Sequence, residues 1–235
     1  MSISFPEIPT RSATPVASKS LITSGKLVGS HRPFGLYREV FKRVFDVTAV
    51  LLAAPVIVPV VAVLAVSVAR DGGSPFYTQN RIGKGGRVFR MWKLRSMVRD
   101  ADAQMQFLLA NDPAAKAEWE STQKLRNDPR ITKLGQFLRR SSLDEIPQLW
   151  NVLIGDMSLV GPRPMMVEQK DMYPGTAYYL LRPGITGYWQ TAGRNRTTFQ
   201  ARAEYDAVYE DSVALATDLR ILWRTISVVM NGTGC

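Results

Sequence analysis

Asp144 and Glu145 stand side by side in a stretch, Arg139 to Pro164, that also carries Arg140, Asp156 and an arginine, Arg163, set between Pro162 and Pro164. Carboxylates bind hard cations or attack phosphorus, and a guanidinium fork fits phosphate oxygens. Proline on each side of Arg163 restricts the backbone and limits the directions its side chain can take. The same residue types also have a plain structural use. Ser142-Leu143-Asp144-Glu145 matches a helix capping box, acidic residues suit a first helical turn, and Pro147 belongs in such a turn. Acids and bases this close together also form salt-bridge networks. Two readings stand: a helix start held by its caps, or a site for a hard metal ion and a diphosphate, with magnesium suited to the oxygen ligands.

The rest of the chain narrows the chemistry. It has one histidine, His31, in a polar stretch, and one cysteine, Cys235, at the last position. That excludes an intrachain disulfide, a Cys/His zinc site and a Ser-His or Cys-His catalytic pair in the body of the protein. Catalysis would fall to carboxylates, Lys, Arg, Tyr, Ser or Thr. The 235 residues are 46% hydrophobic, enough for one domain with a substantial core. Thirty basic against 20 acidic residues give a formal charge of +10, which suits nucleic acid, anionic lipid or a phosphorylated substrate. No nucleic-acid-binding module is recognisable, so nucleic acid is not expected as a partner.

The elements that must position the acids begin with a membrane candidate. Residues 1–36 are rich in Ser, Thr, Pro and Gly and read as a mobile leader. Val47 to Ala69 are 23 residues without a charge. As a straight helix they would span about 35 Å, enough for a bilayer core of about 30 Å. Pro55 and Pro59 lie at the centre of the run and predict a kink. Arg38, Lys42 and Arg43 precede it, and Arg70, Arg81, Lys84 and further basic residues follow it. Basic flanks favour the cytoplasmic side, so a helix that enters one leaflet, bends and returns keeps both clusters inside. An ordinary span and a buried core helix of a soluble protein are the alternatives.

Beyond the run, Phe76–Gln79 and Val88–Lys93 read as strands joined by a Gly83-Lys84-Gly85-Gly86 turn, which lacks P-loop spacing. Residues 99–125 read as helix broken near Asn111-Asp112-Pro113, and Ile131 to Arg140 as a short helix. Gln200 to Met230 is helical again. Leu215, Leu219, Leu222, Ile226 and Val229 there form a stripe that fits an interfacial membrane helix or a core-facing one equally.

Taken together, these segments resemble the bacterial sugar transferases, the monotopic polyprenyl-phosphate phosphoglycosyl transferases of the exopolysaccharide-initiating type. The resemblance is carried by Lys42-Arg43-Val44-Phe45-Asp46, Tyr77 to Gly83, Trp92-Lys93-Leu94-Arg95-Ser96-Met97, Asp128 to Thr132, Arg139 to Pro164, Arg182 to Gly187, Gly193-Arg194-Asn195 and Asp218 to Leu222. They cover roughly residues 40–225 in the family's order.

The resemblance implies an α/β fold, mostly α with short β-hairpin elements. It also implies a proline-kinked re-entrant helix over 37–70, a cytoplasmic catalytic domain with interfacial helices over 71–230, and a tail over 231–235. The reaction it implies moves a hexose-1-phosphate, galactose or glucose, from a UDP-sugar to polyprenyl (undecaprenyl) phosphate at the inner membrane. UMP is released, and downstream glycosyltransferases act next. Asp144 is then the nucleophile, Glu145 a base, and both are ligands of Mg2+. Arg163, Arg139, Lys93 and Arg95 bind phosphate, Arg194 is a nucleotide-binding candidate, and Pro55 and Pro59 form the membrane kink. Two departures from the family are Ala54 where a serine often precedes the proline, and a stretch, Ser212 to Thr217, poor in aromatics. A non-catalytic basic membrane adaptor that holds anionic lipid or a partner protein is the competing reading.

Overall fold

A computed structural model describes residues 35–122, 125–192 and 197–230. The leader except for its last two residues, Arg194 and the 231–235 tail lie outside the described residues. The described chain is mostly α-helical, with two two-stranded sheets.

The apolar run belongs to a 33-residue helix, Tyr37–Ala69, long and apolar enough to cross a membrane. Its first turn, Tyr37–Phe41, is a wider π turn, and α1 runs from Lys42 to Ala69. Pro55 and Pro59 lie inside α1 without ending it. The helix stays continuous across both prolines, because each deletes a single ladder bond and its neighbours carry the helix across. Burial is confined to the two ends of α1: Lys42, Asp46 and Val50 at one, Ala65 and Val68 at the other. Leu52, Val56, Val58 and Val63 between them are exposed, which removes the buried-core-helix alternative.

Both ends are fastened to the same body. At the first, Lys42 Nζ meets Asp218 Oδ2 at 2.6 Å, and Tyr37 Oη donates to the same oxygen at 2.7 Å. Arg43 donates to the carbonyls of Val152 and Leu153, the latter at 2.7 Å. At the second, Arg95 donates to the Val68 carbonyl at 3.2 Å and binds Asp71 through two bonds of 2.6 Å.

The expected hairpin forms, with β1 (Phe76–Ile82) antiparallel to β2 (Val88–Leu94) and Phe76 opposite Leu94. The turn needs its glycines: Gly85 and Gly86 have φ of 70° and 80°, a region costly for other residues. Side chains alternate across a strand. Phe76, Trp92 and Leu94 therefore face α1, while Tyr77, Gln79 and Lys93 face the opposite side.

Helices α2 (Ala101–Asn111) and α3 (Pro113–Thr122) part at Asp112, as expected. The Asp112 carboxylate accepts from the backbone of Ala114 and Ala115 at 2.9 and 3.0 Å. In α4 (Lys133–Arg140) Thr132 is the N-cap, its Oγ1 accepting from Gly135 N at 2.9 Å. Gly135 lies so close to the chain just beyond β2 that an added Cβ would collide with the Ser96 carbonyl oxygen.

Helix α5 (Gln148–Ile154) docks on β2 through buried Asn151, whose amide donates to the Arg90 carbonyl at 2.8 Å and accepts from Trp92 N at 3.0 Å. Val152 of α5 then packs with Val50, Phe89, Met91 and Met157. A second, parallel pair, β3 (Ser158–Val160) with β4 (Gly184–Thr186), is too short to show in a sequence pattern. Short helices α6 (Ala177–Leu180) and α7 (Tyr188–Ala192) flank β4.

The final helical region divides at Ser212 into α8 (Arg202–Asp211) and α9 (Leu215–Met230). In α9, Asp218 and Ile221 are fully buried, while Leu215, Leu219, Trp223 and Ile226 are exposed. Most of the apolar stripe thus points outward, which decides against its reading as a core face.

Candidate active site

Asp144 and Glu145 do not open an α-helix. They sit in a single 3-10 turn, Leu143–Glu145, between α4 and α5. The capping-box expectation is corrected here: Ser142 lies in the left-handed region at φ 57° and caps nothing with its side chain. The Glu145 side chain turns instead to Lys93, Nζ to Oε1 at 2.8 Å. Pro147 precedes the first residue of α5, in line with its expected place at a helix start. The reversal at Ser142 lets the chain leave α4 and re-enter as α5 within a few residues, with the two acids at the corner.

The turn faces a polar cavity of about 700 Å³. Asp144, Glu145, Lys93, Arg139 and Arg163 all line it, so residues spread from β2 to the loop after β3 converge there. Arg139 is placed from α4 by a 2.8 Å bond from its Nε to Ser96 Oγ. The loop bearing Arg163 is held through its backbone: Arg202 Nη2 donates to the Arg163 carbonyl at 2.7 Å, and Gly184 N donates to that of Pro162 at 2.8 Å. The Arg163 side chain remains exposed.

Arg95 lines the same cavity but is otherwise engaged. Its five side-chain bonds, to Ser74, Asp71 twice, Met97 and Val68, tie the end of α1 to the hairpin. A phosphate would have to displace one of these, so the geometry makes Arg95 a scaffold residue. Asp156 also takes no part: it pairs with Arg87 and does not line the cavity. The candidate Arg194 lies outside the described residues.

Asp144 is only 8% exposed. Burial raises its carboxyl above the ordinary range, Lys93 and Arg139 pull it down, and the neighbouring Glu145 pushes it further up. The result is a desolvated, more basic carboxylate held beside cations, a state suited to attack on an anionic phosphorus centre. Oxygen-only donors suit a hard divalent cation. Among the described residues no group of three or more His, Cys, Asp or Glu could enclose one. Two carboxylates completed by substrate phosphate oxygens and water match the way magnesium binds, so the donor set fits that ion.

Residues given no site role in the sequence expectation also line the cavity. Tyr77, Gln79 and Arg81 come from alternate positions of β1, and Trp189 from α7. The alternation in β1 was the available signal. Trp189 showed none, because its neighbourhood depends on α8: the Arg202 guanidinium lies 5.0 Å from the ring centres of both Trp189 and Phe199.

A second cavity of about 360 Å³ lies between α1 and α5 and is apolar. Val50, Ala54, Ile57, Val58 and Val61 of α1 face Trp92, Ile146, Pro147 and Trp150 across it. Ile146 and Pro147 directly follow the Asp144-Glu145 pair, so the apolar cavity and the polar one meet at the same turn.

An acidic turn ringed by Lys and Arg, backed by an apolar helix with both ends on one body, defines a class of proteins with a site suited to anionic ligands beside a membrane-competent helix. The comparisons with known proteins specify the family. Residues 37–232 match the bacterial sugar transferase family, and the chain belongs to it. It is 45% identical over 195 residues to an undecaprenyl-phosphate galactose phosphotransferase of Salmonella typhimurium, covering 82% of this chain and 41% of that protein. It is 39% identical over 230 residues to the exopolysaccharide production protein ExoY of Rhizobium meliloti, covering 95% of this chain and 99% of that one. A UDP-glucose:undecaprenyl-phosphate glucose-1-phosphate transferase of Klebsiella pneumoniae is 36% identical over 205 residues, covering 83% of this chain and 41% of its own length. The chain thus spans about two fifths of the galactose and glucose transferases and nearly all of ExoY.

Proposed function

We propose that the protein transfers a hexose-1-phosphate, from UDP-galactose or UDP-glucose, to undecaprenyl phosphate and releases UMP, as a first membrane step of exopolysaccharide assembly. The observation that carries the reading is the convergence of Asp144, Glu145, Lys93, Arg139 and Arg163 on one cavity in a chain of this family. The names of its relatives support both sugars and the lipid acceptor.

In this mechanism an Asp144 oxygen attacks the sugar-bearing phosphorus. The bond from that phosphorus to the UMP oxygen breaks, and UMP leaves. An oxygen of the lipid phosphate then attacks the same phosphorus, the bond to Asp144 breaks, and the carboxylate is restored. The Lys93 ammonium, held by Glu145, and the Arg139 guanidinium offset charge around the reacting phosphoryl group, and Arg163 binds a substrate phosphate beside it. Asp144 and Glu145 would hold Mg2+, which neutralises phosphate charge when bound.

The membrane arrangement has structural support. Both ends of α1 rest on one body while its middle exposes apolar side chains, which suits a helix that dips into one leaflet and returns. The bend would be at Pro55 and Pro59. The outward apolar face of α9, with Arg220 and Arg224 beside it, suits an interfacial helix. The lipid's isoprenoid tail would lie in the apolar cavity between α1 and α5, its phosphate reaching the acids past Ile146. On this reading the catalytic body is on the cytoplasmic face of the inner membrane.

The test is UMP release by purified protein with undecaprenyl phosphate and a panel of UDP-sugars, with and without magnesium. Asp144→Asn should reduce transfer at least about a thousandfold while the protein stays folded and membrane-bound. Full activity in that variant, with reversion to aspartate excluded, rejects the nucleophile. No turnover of any UDP-sugar by the parent favours the adaptor reading.

A further inference from the structure

The cations around the acidic turn form two groups. Lys93 and Arg139 are the ones that act on the Asp144 carboxylate. Arg81, the penultimate residue of β1, lines the same cavity and is influenced by Arg163 instead. Arg81 is only 8% exposed. Among the described residues its side chain makes one hydrogen bond, Nη2 to Gln79 Oε1 at 2.6 Å, and its Nε is buried without a partner. Burial first, and the like charge of Arg163 second, lower its affinity for a proton; Tyr77, Tyr178 and then the Glu145 carboxylate, itself bonded to Lys93, oppose this. A buried guanidinium beside a second one, with donors unspent, is costly unless an anion arrives to pair with both.

We propose that Arg81 forms, with Arg163, a phosphomonoester subsite for the group that leaves or enters opposite Asp144. The proposal rests on the two-step transfer described above. In the first step the departing UMP phosphate lies in line with the attacking Asp144 oxygen. In the second step the attacking lipid phosphate lies in line with the departing Asp144 oxygen. Both phosphomonoesters therefore occupy the same side of the reacting phosphorus, and one cationic pair can serve both in turn. Arg202, bonded to the Arg163 carbonyl, steadies that pair from behind.

The experiment is calorimetric binding to the full chain in detergent micelles. UMP is compared with uridine, and undecaprenyl phosphate with undecaprenol, for the parent, Arg81→Gln and Arg81→Lys. Arg81→Gln should weaken UMP about 10- to 100-fold, the range for losing a charge-assisted contact, and leave uridine within about twofold. Arg81→Lys should recover part of the loss. A loss shared by undecaprenyl phosphate, but not undecaprenol, supports a shared subsite; a loss confined to one phosphate supports the subsite and assigns it to that ligand. Unchanged affinity for both phosphates in a folded variant overturns the proposal. So does an equal fall for uridine, or failure of both variants to fold, which would make Arg81 a packing residue. Binding is read apart from turnover. A parent that binds UMP through Arg81 but transfers nothing defeats the transferase reading alone. A parent that transfers, with Arg81→Gln binding UMP normally, defeats only the subsite.

Discussion

Two adjacent carboxylates acquire different properties from their surroundings. Asp144 is buried and its carboxyl raised, whereas Glu145 is bonded to Lys93. The adjacency and the surrounding arginines were visible in the chain. Their different surroundings were not, because these depend on Lys93, which is brought from β2. Another acid makes a checkable contribution to stability. Asp206 is buried and accepts a 2.8 Å bond from Tyr173 Oη; burial raises its carboxyl to about 6, against the pull of Tyr173 and Arg202. An unfolded aspartate titrates near 4, so the folded state keeps this proton to higher pH. Its stabilisation is complete below about pH 4 and is lost as pH rises through about 6. Measured as unfolding against pH, Asp206→Asn should lose less stability than the parent across that window, by about 3 kcal/mol. Parallel curves would show that Asp206 does not carry this proton.

At the level of elements, hydropathy marked α1 and glycine marked the hairpin, since both signals are local. The way α1 is held is not local. Lys42 and Asp218 are far apart in the chain and meet at 2.6 Å, with Asp218 fully buried and also bonded by Tyr37 and Tyr209. Removing one member of such a pair strands the other charge, at a cost of about 3–5 kcal/mol. Asp218→Ala should lower stability by that order in thermal or denaturant unfolding. Lys42→Met combined with Asp218→Leu should recover part of it, and equal losses in the single and double variants would contradict the pairing. The α9 stripe teaches the complementary lesson. Its helical period was legible, but its direction was set by buried Asp218 and Ile221 on the inner side.

For the whole molecule, both ends of α1 on one body predict that residues flanking the helix share one side of the membrane. In a Cys235→Ser background, single cysteines at exposed Glu39 and Arg70 should react with an impermeant maleimide from the same side of oriented vesicles. Labelling from opposite sides would establish a simple span. By itself, the amino-acid order determined the local features: a long apolar helix, a glycine-turned hairpin, the acidic pair and the arginine between prolines. These follow from composition and short-range sterics. Folding alone decided that Asp144 sits in a 3-10 turn, that Arg95 serves as scaffold, that Arg81 and Arg163 line one cavity, and that α9 turns its apolar face outward. Each of those depends on desolvation and on charges brought together from distant parts of the chain, and neither quantity exists until the elements pack.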